Sequence, residues 1–128
     1  MGDTRKLTPE QIENLAVEIR EFLLEHELWV DVDIYFNGKC FSTHDKESGK
    51  FYYNDRKNLI VQENEDPRTY FEYVNPDHIL SMSFDGVVCE MLYYGILQSV
   101  RRKFDAIFEK YGLYYEFGHH WNFSCYYI

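Results

Sequence analysis

The chain has 128 residues, of which 45% are hydrophobic and 19% aromatic, and it carries a formal net charge of -9. That apolar content excludes a disordered chain, and no apolar run approaches the ~20 residues of a membrane-spanning helix. Phosphate-directed binding of nucleic acid is excluded too, because an acidic chain lacks the cations it needs.

The length suits one domain, 1–128, able to bury roughly two-thirds of its unfolded surface. Met-Gly-Asp-Thr-Arg-Lys at the start has no apolar secretory core, so the expected location is cytoplasmic. Thr8-Pro9-Glu10-Gln11 is a helix start: Thr8 caps, Pro9 suits the first helical position and Gln11 completes a capping box. Ile12, Leu15, Ile19, Phe22 and Leu23 follow at helical spacing, which predicts a helix over 9–25. Its other face carries Glu10, Glu18, Glu21 and Glu25, with Arg20 as the helix's one cation.

Trp29 to Phe36 alternates. Val30, Val32, Ile34 and Phe36 are expected on one face, and Trp29, Asp31, Asp33 and Tyr35 on the other. Asn37-Gly38 is a two-residue hairpin turn that favours positive φ at both positions. The return strand then pairs Ile34 with Phe41 and Asp33 with Ser42, giving a hairpin over 29–44. Strands are also expected at 51–53, 59–62, 70–74 and 79–84. Val88, Met91 and Leu92 favour a short helix at 87–94 over a second hairpin at Asp85-Gly86. Ile96, Leu97, Val100, Phe104, Ile107, Phe108 and Tyr111 mark a second main helix, ended by Gly112. A terminal hairpin occupies 113–127 around Gly118-His119-His120. The expected fold is α+β, with two main amphipathic helices on a largely antiparallel sheet of about five to six strands.

Chemical motifs are weak. Cys40, Cys89 and Cys125 form an odd set without CxxC spacing and read as small core residues. The Cys-Tyr-Tyr-Ile tail lacks the aliphatic middle of a prenylation box. His119 and His120 are adjacent, which in a strand sends them to opposite faces, so no metal or cofactor is expected. Asp31 and Asp33 share a strand face with His44 near Asp31 across the hairpin, the one cluster suited to acid–base or divalent-ion chemistry. Ser81 and Ser83 lack a nucleophile-elbow context. Aromatic doublets (Phe51-Tyr52-Tyr53, Tyr70-Phe71, Tyr93-Tyr94, with Tyr73) imply either a sheet covered on both sides or a tyrosine-rich binding face.

The charge is uneven. Residues 1–36 hold nine acids against Arg5, Lys6 and Arg20, whereas residues 96–128 hold three against Arg101, Arg102, Lys103 and Lys110. An acidic pole attracts basic proteins. Glu18, Glu21, Glu25, Asp31, Asp33 and Tyr35 are therefore the expected partner-binding residues of a non-enzymatic protein-binding domain. In size and charge alone the chain is similar to phage and mobile-element inhibitors, including anti-CRISPR proteins. That likeness implies occupation of the basic groove of a nucleic-acid-handling protein. Two alternatives stand beside it. One is a small enzyme using Asp31, Asp33 and His44 or the histidine turn. The other is a structural subunit that forms homo-oligomers through a spare sheet face or edge.

Overall fold

The structure, a computed structural model, describes residues 6–72 and 74–128. Helix α1 spans Pro9–Glu25, and its start follows from the capping box. Thr8 Oγ1 accepts from Gln11 N at 3.1 Å, and Gln11 Oε1 accepts from Thr8 N at 2.8 Å. Then come β1 (Val32–Phe36), β2 (Lys39–Ser42), β3 (Ile60–Glu63), a 3-10 turn at Pro67–Thr69 and β4 (Ser81–Phe84). Helices α2 (Gly86–Leu92) and α3 (Gln98–Lys110) precede the terminal hairpin of β5 (Leu113–Phe117) and β6 (Asn122–Tyr127).

The strands form one antiparallel sheet in the order β3-β2-β1-β4-β6-β5. Asn37 and Gly38 both take positive φ (48° and 75°), as the tight hairpin demands, and fix the pairings Ile34–Phe41 and Asp33–Ser42. Val32, Ile34, Phe36, Phe41, Met82, Phe84 and Phe123 thereby share one face and pack under the helices. Leu15, Ile19 and Leu23 of α1 and Phe104 and Phe108 of α3 close this core. The three helices therefore pack against a six-stranded antiparallel sheet, an α+β arrangement.

The second face is polar along its middle. Register aligns Ser42, Asp33, Ser83 and Asn122 in one row across β2, β1, β4 and β6. A smaller cluster covers the neighbouring row, where Tyr35, Cys40 and Phe71 are buried with Val74 and Trp121 against them. Phe71 meets Tyr35 and Trp121 edge-on, with ring centroids 5.3 and 5.4 Å apart.

Several expectations are corrected. The first strand begins at Val32 rather than Trp29, because Asp31 takes a left-handed φ of 54°. That single residue breaks the alternation, so Trp29 is fully buried in the helix-side core instead of sharing a face with Asp33. Residues 51–53 form no strand; one isolated bridge joins His44 to Phe51. Residues 70–72 and 74 are not in a strand either: Asp66 caps the 3-10 turn, and Phe71 folds back onto Tyr35. Tyr73 and residues 1–5 lie outside the described residues. The short helix expected at 87–94 is present as α2, shifted to Gly86–Leu92.

Candidate acidic notch at one end of the sheet

Two strand starts, of β1 and β6, and two strand ends, of β2 and β4, meet at the same edge of the polar face. Backbone bonds lock them together. Asp85 N donates to Asp31 O at 3.1 Å, and Phe84 N donates to Trp121 O at 2.8 Å. Tyr52 N donates to Thr43 O at 2.7 Å, which brings the 51–54 segment alongside. The result is a cavity of about 430 Å³ lined by Asp31, Asp33, Asp85, His44, Phe51 and Trp121, among others.

Each carboxylate arrives for a local reason. The left-handed turn at Asp31 aims its side chain away from the strand; Asp tolerates that conformation better than most residues. Its Oδ1 accepts from Tyr53 Oη at 2.6 Å. Asp33 is half-buried on β1, and its Oδ2 accepts from Ser83 Oγ at 3.2 Å. Asp85 precedes α2 without making a side-chain cap, so its carboxylate stays free of the helix. No lysine or arginine among the described residues forms a salt bridge with any of the three. The aromatic walls are oriented by stacking: His44 lies on Phe51 at 4.4 Å and 17°, and His119 on Trp121 at 5.1 Å and 7°.

A wider groove of about 710 Å³ lies at the opposite end of β4 and β6. It already contains a cation, Lys6, beside Asp77 and Glu116. Among the described residues the notch gathers three carboxylates with no lysine or arginine in its lining, so the chemistry favours it over the larger space.

The expected site residues fare unequally. Asp31, Asp33 and His44 do come together. The His44 ring stacks on Phe51, and its hydrogen bonds within the described residues run through its backbone, to Ser42 Oγ and from Gln62 Nε2. Tyr35 is corrected: it is 7% exposed, held under Phe71, and burial followed by the nearby Asp33 charge raises its phenol pKa far above the ordinary value. On α1, Glu18 is bound by Lys110 and by Tyr111 Oη at 3.1 Å, and Glu21 by Arg56 at 2.5 Å. Of Glu18, Glu21 and Glu25, the helix residues expected to bind a partner, only Glu25 lacks an ion-pair partner among the described residues. Arg20, the helix's one cation, is buried with its guanidinium 5.6 Å from the Trp29 ring centroid and reaches Glu21 at 3.9 Å.

Sequence reasoning missed Asp85, Phe51 and Trp121 as companions of Asp31. The Asp85-Gly86 turn signal was visible, but its proximity to Asp31 depends on the β1–β4 pairing, which is non-local. His119 and His120 diverge, the first onto Trp121 and the second toward Tyr93 at 5.6 Å. Among the described residues no group of three or more His, Cys, Asp or Glu side chains is placed to hold a metal ion. No helix there is long and apolar enough to cross a membrane. No family model matches the chain, and neither any curated protein nor any solved structure does.

Proposed function

We propose that the chain is a non-enzymatic protein-binding domain that seats a lysine or arginine of a basic partner in the notch. The observation that carries this reading is the convergence of Asp31, Asp33 and Asp85 on one aromatic-walled cavity that no lysine or arginine among the described residues lines. An ammonium or guanidinium group entering there gains charge-assisted hydrogen bonds and the faces of Phe51 and Trp121. The net charge of -9 draws such a partner in from a distance. Glu25 adds to that field from the end of α1, while Glu18 and Glu21 contribute less because their charges are already paired.

The partner that fits best is a nucleic-acid-handling protein, because its groove presents dense lysine and arginine. An acidic domain seated in that groove excludes the nucleic acid, which is the action of an anti-defence inhibitor of the anti-CRISPR type. Parallel capture from host cytosol tests the reading, using the parent and an Asp31→Asn/Asp85→Asn variant. Asparagine keeps the left-handed turn and the hydrogen bonding but removes the charge. The reading expects a basic protein on the parent and its loss from the variant. Equal recovery on both, or an acidic partner, defeats it.

A further inference from the structure

The sheet ends in two unlike edges. β3 is only four residues long, Ile60–Glu63, and ends on a charged residue, features that blunt an edge against pairing. β5 reads Leu113-Tyr114-Tyr115-Glu116-Phe117, with a single charge, no proline and no lysine to block pairing. Its phase on β6 is fixed by two bonds, Ile128 N to Gly112 O at 3.0 Å and Gly118 N to Asn122 O at 3.1 Å. Hydrogen-bonded positions alternate along an antiparallel ladder, so Leu113, Tyr115 and Phe117 turn their N–H and C=O groups to the open edge. None of these groups finds a partner among the described residues.

The edge is also rigid. Tyr115 stacks on Phe123 at 4.3 Å and 17°, and its hydroxyl donates to Asp105. Beside it a groove of about 300 Å³ runs between α3 and β5, with Phe108, Leu113 and Ile128 as its apolar lining.

We infer that β5 pairs with β5 of a second copy across a two-fold axis at Tyr115, giving a homodimer with one continuous sheet. Two observations select a second copy over other occupants. First, charge: residues 96–128 hold three acids and four bases, so this is the near-neutral part of a chain of -9. A basic partner is drawn to the acidic pole, whereas two acidic copies approach with least repulsion here. Second, the register is self-complementary. Centring on Tyr115 sets Leu113 opposite Phe117 of the second copy and Tyr114 opposite its Glu116. Tyr114 Oη already donates to Glu116 of its own strand at 3.0 Å, so the same donor and acceptor meet across the axis. Phe117, 37% exposed in one copy, comes to rest against Leu113 at the groove.

Sedimentation equilibrium of the full chain from about 1 µM to 1 mM tests this, spanning the range expected of a small interface. The inference expects a reversible monomer–dimer equilibrium. Tyr114 is 43% exposed, so the strand tolerates charge there. Tyr114→Glu places carboxylates against Glu116 of the other copy twice and should weaken the dimer about tenfold, whereas Tyr114→Lys should leave it as tight or tighter. A chain that stays monomeric throughout overturns the inference. So do equal losses in both Tyr114 variants when each unfolds at the parent's denaturation midpoint, and a dimer broken by Val61→Lys on the β3 edge.

Discussion

Asp31 shows how much one dihedral angle decides. Its φ of 54° places Trp29 in the core and its own carboxylate in the notch. Asp31→Asn should leave stability within about 0.5 kcal/mol, since asparagine accepts the same turn; Asp31→Val should cost clearly more in a denaturation series. His78 carries the clearest pH signal. Burial, followed by the nearby Arg68 charge, lowers its pKa, against the weaker pull of Asp66 and Asp77. Its Nδ1 lies 3.1 Å from Ser81 Oγ, which in turn is 2.7 Å from Ser124 Oγ. The unfolded chain therefore binds this proton more readily, and stability is full above about pH 6.5 and falls as pH drops below it. His78→Gln should flatten denaturation midpoints between about pH 7 and 5; an unchanged slope would remove His78 as the cause. Asp45, Asp55, Glu65 and Asp66 also have lowered pKa values, each from side-chain hydrogen bonds first, and their loss belongs to more acidic conditions. Cys40 and Cys125 are buried and their thiols are raised by that burial. Both should resist thiol reagents in the native state and react on unfolding.

Among the elements, those whose signals are local were legible in the sequence. The α1 capping box, the Asn37-Gly38 turn and Gly112 after α3, with φ of 76°, each specify their own end within a few residues. Thr8→Ala should lower stability by about 1 kcal/mol through the lost cap. Phe104, fully buried between α1, α3 and the sheet, should cost about 3–5 kcal/mol as Phe104→Ala in the same assay. The stretch from 51 to 79 was not legible in this way. Its aromatic doublets carry strand propensity, yet Phe71 is placed by what it covers, Tyr35 and Trp121, and these come from β1 and the start of β6. Half of the notch was readable because Asp33 lies in the hairpin register and Asp31 and His44 lie just beyond its open end, although the expected shared strand face of Asp31 and Asp33 is broken by the turn at Asp31. The other half arrives through β4 and β6, whose neighbours are set by the sheet order. The α1 glutamates looked like one free acidic face because Lys110 and Arg56, which bind two of them, lie far away in sequence. Such exposed pairs contribute at most about 1 kcal/mol each, so they dull the face electrostatically more than they hold the fold.

For the molecule as a whole, the helices cover one sheet face and leave the other to a polar row, a small aromatic cap and the notch. The proposed protein-binding role rests on the net charge and on where it is unpaired. The measurement that bears on it most directly is the association rate with the captured basic partner, followed against ionic strength for the parent and for Asp31→Asn/Asp85→Asn. Screening acts most strongly on exposed charge, so the parent rate should fall steeply as salt rises. The variant should associate more slowly at low salt, with a shallower slope, and the two curves should converge at high salt. Superimposed curves, or a parent rate indifferent to salt, would contradict the assignment of the notch.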